Sequence, residues 1–477
     1  MHIYIPTYFF NKSKLKSKKS KMVRIDESKL HIAMFPWLAI GHIIPYAQLS
    51  NELANRGHRI SFFVPKKGLL KLGNLDLYSP LVKFYTVKVP HVEGLPLGAE
   101  TASDIDFIAK DPLAIAFDAM ADEVEGLLRT LKPDIVFFDF AYWVTEMART
   151  IGFKTVCYNV ICASVMAIGV VPSRYFPKDR PVTVEEMMEL PEGYPSTTIV
   201  LRGHEAQTMS FLYGSYGDIT FDVRMTTALQ DCDAIGVRTV SELEGSMCDY
   251  LGSQYGKRVI LSGPVLPEAP KTDVDEKWET WLSKFKPKSV VYCAFGSQNT
   301  MSMEQFQELV LGFEMTGMPF FVALSKPHGS NSIEEALPEG FLKRVGDRGV
   351  VHGGWVSQAQ FLNHPSVGCF VSHCGFGSMW ESLLSECQIV LVPWLGDQIL
   401  NARLLADEIK VGVEVERDEN AWFCKEDLCR AIKSVMYQDS EVGKMTKNNH
   451  AKWRETLGRP GFMNDYIDDF IQKLYQL

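Results

Sequence analysis

The segment HCGFGSMWES, from His373 to Ser382, sets two glycines directly behind a histidine and ahead of a run that predicts a helix. Glycine lets a backbone come close to a ligand, and the free N–H groups at the start of a helix favour a negative charge. A second glycine turn, AFGSQ, places the Ser297 hydroxyl where it could meet the same ligand. These residues predict a site for an anion, although a structural turn between a strand and a helix explains them equally well.

Two other kinds of site fit the glycine segment poorly. A dinucleotide fingerprint needs a third glycine where this chain has Trp380, and no acidic residue closes a second strand at the required distance. A structural zinc site needs four ligands, and Cys369, His373 and Cys374 have no second pair of ligands near them in the sequence. We therefore expect neither a nicotinamide enzyme nor a metal site.

A histidine and an aspartate in the first half of the chain could form a general base. His42 lies in IGHIIP, at the start of a predicted helix, and Asp139 follows the apolar run IVFF. A carboxylate at the mouth of a buried strand is costly without a partner, and a histidine would relieve that cost. Such a pair could take a proton from an alcohol, although His42 could equally well cap its helix.

The elements that must position these residues alternate between short apolar runs and helical periodicity. This alternation is typical of α/β proteins with parallel sheets. It begins near His31, stops in the proline- and acid-rich segment LSGPVLPEAPKTDVDEKW, and restarts at SVVYCAFGS. We predict an α/β fold of two doubly wound, Rossmann-like domains that face a central cleft, with the ligand at the carboxyl ends of the strands.

The same patterns divide the chain into five predicted segments. Residues 1–28 are a disordered basic tail, 29–258 the N-terminal domain, 259–284 an interdomain linker, 285–460 the C-terminal domain, and 461–477 a closing helix. In the tail, an apolar patch precedes six lysines, which is the reverse of the order in a signal peptide.

Composition excludes several classes of protein. The 477 residues are 46% hydrophobic and 22% charged, as in soluble globular proteins, and the formal charge of −9 gives no general surface for nucleic acid. No run is long and apolar enough for a membrane helix. The ten cysteines form no Cys-x-x-Cys pair, which is typical of a reduced cytosolic protein. We expect a cytoplasmic protein without a nucleic-acid partner or a membrane span.

The segment from Trp355 to Gln398 resembles the donor-binding signature of the plant secondary-metabolite UDP-glycosyltransferases. An aromatic opening, His-Cys-Gly, Ser-x-x-Glu and a closing Asp-Gln all fall in register with that signature. The motifs GHIIP, FFDF, SGPVLP and AFGS extend the resemblance over most of the chain. The resemblance implies the two-domain GT-B architecture, with an acceptor site in the N-terminal domain and a UDP-sugar site in the C-terminal domain. It also implies a monomer that uses a UDP-sugar as co-substrate and needs no metal or other cofactor.

The resemblance assigns the UDP-sugar to a set of residues in and near the signature. They are Ser297, Trp355, Val356, Gln358, His373, Gly375, Gly377, Ser378, Glu381, Trp394, Asp397 and Gln398. Trp355 would stack on uracil with Gln358 beside it, and Glu381 would hold the ribose hydroxyls. The diphosphate would lie against His373, Ser378 and Ser297.

The remaining roles implied by the resemblance concern the sugar and the acceptor. Asp397 and Gln398 would bind sugar hydroxyls, with Trp394 close by. His42 would be the base and Asp139 its partner, so that an acceptor hydroxyl attacks the anomeric carbon, UDP leaves and the configuration inverts. Four aromatic residues flank this pair and would form the acceptor walls: Trp37, Phe140, Tyr142 and Trp143.

One departure from the family pattern narrows the expected acceptor. Most members read His-Cys-Gly-Trp-Asn-Ser, whereas this chain has Phe376 and Gly377 in place of Trp and Asn. The variant resembles the branch-forming subgroup, which adds a second sugar to the sugar of a flavonoid or anthocyanin glycoside. Gln398 resembles the residue of glucose users, while related enzymes accept xylose or rhamnose.

Two alternatives to sugar-on-sugar transfer stay open at this point. The acceptor could instead be an aglycone hydroxyl of a phenolic or terpenoid. The chain could also be a nucleotide-sugar-binding protein without turnover, but the retention of His42 with Asp139 and of Asp397 with Gln398 argues against this.

Overall fold

The computed structural model describes residues 28–72, 80–105, 110–174, 176, 180, 182–266, 274–296, 301–437 and 439–477. Of the basic tail predicted at 1–28, all but Ser28 lies outside the described residues, and so does Ser297.

Seven short apolar runs in the first half form one parallel sheet. In chain order the strands are β1 His31–Phe35, β2 Arg59–Val64, β3 Val82–Thr86, β4 Ile135–Phe138, β5 Lys154–Asn159, β6 Ala234–Val237 and β7 Arg258–Leu261. Their order across the sheet is β3-β2-β1-β4-β5-β6-β7, so the winding reverses between β1 and β4. Phe35 pairs with Phe138, and the chain therefore leaves both strands at the same edge. This reversal point is where open α/β sheets bind ligands.

Six strands in the second half form another parallel sheet. They are β8 Val290–Ala294, β9 Phe320–Ala323, β10 Gly349–His352, β11 Val367–Ser372, β12 Gln388–Leu391 and β13 Gly412–Glu414. The order is β10-β9-β8-β11-β12-β13, and the winding reverses between β8 and β11. Ala294 pairs with Ser372, which brings the glycine turns after β8 and β11 side by side.

Helices connect the strands throughout the described residues. In chain order they are α1 Ile40–Asn55, α2 Lys66–Lys71, α3 Lys110–Asp118, α4 Ala121–Leu131, α5 Val144–Ile151, α6 Ala163–Gly169, α7 Val184–Met188, α8 Gly203–Thr208, α9 Phe221–Asp231, α10 Ser241–Tyr255, α11 Glu276–Leu282, α12 Met303–Thr316, α13 Ile333–Ala336, α14 Phe341–Val345, α15 Gln358–Asn363, α16 Phe376–Leu384, α17 Asp397–Arg403, α18 Lys425–Met436, α19 Glu441–Leu457 and α20 Phe462–Leu474. None of the helices in these parts of the chain is long and apolar enough to cross a membrane.

Both faces of each sheet are buried. Val136 and Phe138 of β4 belong to one apolar cluster, and Ile135 and Phe137 belong to another on the opposite face. Alternate residues of β8 divide in the same way. Strands covered on both sides read as continuous apolar runs, which explains why the sequence shows them so clearly. The structure confirms the predicted α/β fold of two doubly wound units.

The predicted linker at 259–284 contains more regular structure than expected. Strand β7 extends into it because its apolar residues pair with β6, with Leu261 opposite Val237. Helix α11 lies at its other end, where Trp281 is buried in the core of the second sheet. The proline- and acid-rich composition hid both elements, since each contributes only a few apolar residues.

The last helix returns to the first half of the molecule. Phe470 of α20 packs against Phe137 and Tyr158 of the first sheet. Tyr466 of α20 lies beside Gly263, where a Cβ would be 3.2 Å from the Tyr466 Cβ. The chain thus crosses between the halves twice, once after Ser262 and once between α19 and α20.

Candidate functional site

A histidine and a carboxylate meet where β1 and β4 end. Helix α1 begins at Ile40, which puts His42 in its first turn, and Asp139 directly follows β4. The His42 Nδ1 and an Asp139 Oδ atom are 2.7 Å apart. The parallel pairing of the two strands therefore brings together the two residues that the sequence singled out as a possible base and partner.

The hydrogen bonds of Asp139 orient the ring of His42. Its Oδ1 accepts hydrogen bonds from the backbone N–H groups of Trp37, at 2.8 Å, and Phe140, at 2.6 Å. Carboxylate oxygens only accept hydrogen bonds, so Asp139 Oδ2 accepts the hydrogen bond that the imidazole Nδ1–H donates. The His42 Nε2 then carries the lone pair, so the arrangement can remove a proton from a hydroxyl group.

Two glycine turns enclose the ring of His373 at the edge of the second sheet. A Cβ at Gly375 would lie 2.5 Å from the His373 Nε2, and one at Gly296 would lie 3.2 Å from it. Only residues without a side chain let the two turns approach the ring so closely. Burial lowers the pKa of His373 to about 4, so the ring is neutral at pH 7 and can offer an N–H but no charge.

Helix α16 starts directly after this turn and faces α15. The Gln358 amide donates to the Ser378 hydroxyl at 2.9 Å and to a Glu381 carboxylate oxygen at 2.5 Å. Burial raises the pKa of Glu381, while Gln358 and Arg238 act in the opposite direction. The Gln358 amide therefore holds Ser378 and Glu381 together, and the resemblance assigned all three residues to the nucleotide.

Trp355 is the most conspicuous surface residue of this region. Its side chain is 83% exposed on the loop before α15, whereas Val356 next to it is partly buried against the core. The Trp355 ring therefore contributes little to the core, and its exposed surface is accessible to a ligand.

A third segment joins the site from the start of α17. The Gln398 side-chain oxygen accepts the backbone N–H of Trp394 at 3.0 Å. The Asn401 amide donates to Asp397 at 3.2 Å and to the carbonyl of Cys374 at 2.8 Å. The segment that carries Asp397 and Gln398 is therefore anchored to the glycine turn before α16. Sequence reasoning missed Asn401, although its spacing of one helical turn from Asp397 was a usable signal.

Aromatic rings extend from His42 across the cleft. The Phe140 ring lies 5.2 Å from the His42 ring, and the Phe221 ring 5.2 Å from Phe140. Phe211 follows at 5.7 Å from Phe221, and its ring lies beside Gly396 in the segment before α17. This aromatic wall connects the possible base with the third segment. Phe211 was missed because it lies in a short irregular stretch, and Phe221 because the first residue of α9 gives no sign in the sequence of its distant ring partners.

The four predicted wall residues divide into two groups. Trp37 packs on Phe140, with 5.3 Å between ring centroids, and both lie near His42. Tyr142 and Trp143 instead contact the ion pair of Arg224 and Asp118. Arg224 lies over the Tyr142 ring, and Trp143 donates to Asp118.

The ion pair of Arg224 and Asp118 also holds the backbone that carries part of the aromatic wall. Arg224 binds both oxygens of Asp118, at 2.8 and 2.6 Å, and donates to the carbonyls of Phe140 and Tyr216. The guanidinium thereby fixes the backbone on which the rings next to His42 are mounted.

Comparisons with known proteins identify the family of this chain. Residues 283–463 match the model of the family described as UDP-glucoronosyl and UDP-glucosyl transferase. The chain is 51% identical to an anthocyanidin 3-O-glucoside 2'''-O-xylosyltransferase of Arabidopsis thaliana, over 95% of this chain and 98% of the relative. It is 49% identical to UDP-glucosyl transferase 79T1 of Saponaria officinalis, over 94% and 98%.

Solved structures share the fold at much lower identity. TcCGT1 in complex with UDP superposes with a TM-score of 0.75 at 22% identity, over 94% of this chain and 99% of that one. Arabidopsis thaliana UGT89C1 complexed with quercetin gives a TM-score of 0.70 at 20% identity, with the same coverage.

Proposed function

Because this chain belongs to the UDP-glucoronosyl and UDP-glucosyl transferase family and has the GT-B fold, we propose that it moves a sugar from a UDP-sugar to a sugar hydroxyl of a flavonoid or anthocyanin glycoside. One observation carries the catalytic part of this proposal. His42 is bound through Nδ1 to Asp139 at 2.7 Å, and its Nε2 is left basic at the edge where the sheet reverses. The acceptor class is supported by the relative at 51% identity, whose name specifies a glucoside acceptor.

The chemistry follows from the position of the lone pair. The His42 Nε2 takes the proton of the acceptor hydroxyl as its oxygen forms a bond to the anomeric carbon. The bond between that carbon and the diphosphate oxygen breaks, UDP leaves with the electron pair, and the configuration inverts. Asp139 stabilises the imidazolium that results, and it does so without taking the proton itself.

The leaving group would be received by the start of α16. Backbone N–H groups at a helix N-terminus favour a diphosphate, and the neutral His373 adds one more donor. Donors fixed in place before the reaction stabilise the developing negative charge most effectively. Glu381 and Gln358 would hold the ribose, and Asp397 and Gln398 the sugar hydroxyls.

We further propose that the enzyme needs no metal ion, acts as a monomer and resides in the cytoplasm. Among the residues that the structure describes, no group of three or more His, Cys, Asp or Glu side chains could hold a metal ion. All ten cysteines are free thiols, which supports a reducing compartment.

The activity can be tested with purified protein and a matched pair of acceptors. Quercetin and its 3-O-glucoside are each incubated with UDP-glucose, UDP-xylose or UDP-rhamnose, with and without EDTA, and UDP release and product masses are measured. We expect the glucoside to gain one sugar, with a rate that EDTA does not change.

Other outcomes of this assay would contradict the proposal. Faster transfer to quercetin itself would favour an aglycone acceptor. Binding of UDP-sugars without UDP release for any acceptor would favour a protein without turnover. The donor that reacts fastest identifies the sugar, for which Gln398 favours glucose and the two relatives are named for xylose and glucose.

Replacing Trp355 with alanine should weaken UDP binding by about tenfold or more, because stacking of an aromatic ring on a base contributes about 1–3 kcal/mol. The melting temperature should stay unchanged, since the side chain is 83% exposed. Calorimetry with UDP measures the loss. Tyr437→Ala, which removes an aromatic ring that is 53% exposed just after α18, is the matched control. Equal UDP affinities in the two variants would exclude uracil stacking on Trp355.

A further inference from the structure

A buried network of four charges joins the two halves behind the segment that carries Asp397 and Gln398. Glu205, on α8 in the first half, pairs with Arg403 and with Arg417, the latter at 3.1 Å. Glu414, at the end of β13, pairs with the same two arginines, and its distance to Arg417 is 3.0 Å. Glu205 and Arg403 are almost completely excluded from water. The two positive and two negative charges compensate one another, and Asp407 approaches the Arg403 Nε at 3.7 Å from the more exposed side.

The network holds both ends of the donor segment, defined here as residues 393–403. Arg403 is the last residue of α17, whose first residues are Asp397 and Gln398. Arg417 contacts both carboxylates through Nη2, and its Nη1 donates to the carbonyl of Pro393 at 2.9 Å. The two arginines thus fix the segment where it begins and where it ends.

Apolar contacts place the same segment against the first half. Ile399 and Leu400 of α17 share one buried cluster with Met209 and Leu212. Paired guanidinium and carboxylate groups have fixed geometry and add a directed contact to this apolar packing. Through Glu205 the charged network gives α17 such a contact with the first half, in addition to the hydrogen bonds of Ser196 and Thr198 with Glu408 just after α17.

We infer that Glu205 is a positioning residue for the donor sugar: its carboxylate, supplied by the opposite half, fixes the donor segment through Arg403 and Arg417. This inference rests on the proposed function, in which Asp397 and Gln398 bind the sugar. Three of the residues assigned to UDP are positioned by contacts within the second half: the Gln358 amide donates to both Ser378 and Glu381. Glu205 should consequently affect the sugar part of the donor and leave the nucleotide part unchanged.

The variant Glu205→Gln tests this separation, because glutamine keeps the shape of the side chain and removes its charge. We expect the KM for the UDP-sugar to rise about tenfold and kcat to fall by a similar factor, as for other small displacements of a reacting group. The Kd for UDP and the KM for the acceptor should change by less than about twofold. Asp468→Asn is the matched control, because it removes an ion pair with Arg56 between α1 and α20 that does not reach the donor segment.

A double variant separates the effect of Glu205 on the position of the donor segment from its effect on the stability of the protein. Glu205→Gln alone leaves an unbalanced positive charge in the interior, which could unfold the protein. The double variant Glu205→Gln/Arg417→Gln restores the balance, so its melting temperature should recover while the KM for the UDP-sugar stays high. Recovery of both quantities would overturn the inference.

The affinities of the Glu205→Gln variant for UDP and for UDP-sugar give a further test of the inference. Glu205→Gln overturns the inference if it changes the affinities for UDP and UDP-sugar equally or leaves both unaltered. Calorimetry with both ligands gives this comparison without turnover. If the wild-type protein transfers no sugar, the proposed function fails, and a selective loss of UDP-sugar affinity in the variant still supports the role of Glu205.

Discussion

Replacing His42 with alanine is expected to lower kcat by about 10²–10⁴, the usual contribution of a general base, and to leave the Kd for UDP unchanged. The imidazole holds the only basic nitrogen bound to Asp139 in the described part of the chain. The residues assigned to UDP lie on the other half of the molecule. Initial rates at saturating donor and acceptor, together with UDP calorimetry, measure the two quantities.

Chemical rescue sharpens the test of His42. Alanine leaves a space beside Asp139 and Phe140, and added imidazole should restore part of the lost rate if the ring acts only as a base. Near-normal turnover of the variant without imidazole would show that another group removes the proton. A loss of UDP affinity equal to the loss of kcat would show a structural role instead.

The second large fall in kcat is expected for Asp139→Asn. Three N–H donors converge on this carboxylate, from His42, Trp37 and Phe140. An amide has one accepting oxygen, so its NH₂ group would face the histidine and force the tautomer with a proton on Nε2. That tautomer cannot accept the hydroxyl proton, and kcat should fall about 10³–10⁴-fold, as when a catalytic histidine loses its carboxylate partner.

A matched control for Asp139 lies at the opposite end of the same strand. Asp134 accepts the backbone N–H of His31 at 2.6 Å just before β4 begins. Asp134→Asn should lower the melting temperature through the weakened hydrogen bond but leave kcat within about twofold of the wild type. Equal losses of activity in the two variants would assign Asp139 a purely structural role.

The positions of the candidate site residues along the chain were easier to predict than the contacts among them. Buried parallel strands read as apolar runs, and the polar residues that follow β1, β4, β8 and β11 could therefore be placed at the sheet edges. The residues that the resemblance assigned to the donor, from Trp355 to Gln398, lie in one continuous segment, so a motif could single them out. His42 and Asp139 are far apart in sequence, and their pairing was suggested by the cost of a buried carboxylate and by the resemblance, not by their spacing.

Contacts between the halves could not be predicted. Glu205 meets Arg403 and Arg417 only after both sheets have formed, and nothing near α8 in the sequence signals a charge partner. The positions of the Phe211 and Phe221 rings depend in the same way on tertiary packing, since their partners Phe140 and Gly396 are distant in sequence. Short elements inside the predicted linker were missed because proline and acidic residues dominate the composition around them.

The return of the last helix limits how the two halves can move. The first crossing begins at Gly263, and the second ends in α20, where Tyr466 lies against that same glycine. The Tyr466 hydroxyl also binds the backbone of Ser241 at 2.7 Å, which fastens α20 to the first half. The two covalent connections between the halves therefore lie at one place, and a rotation of one half against the other about that place would strain the chain least. Under the proposed function, such a rotation would change the distance between His42 and the donor segment, while the contacts of Glu205 with Arg403 and Arg417 would oppose it.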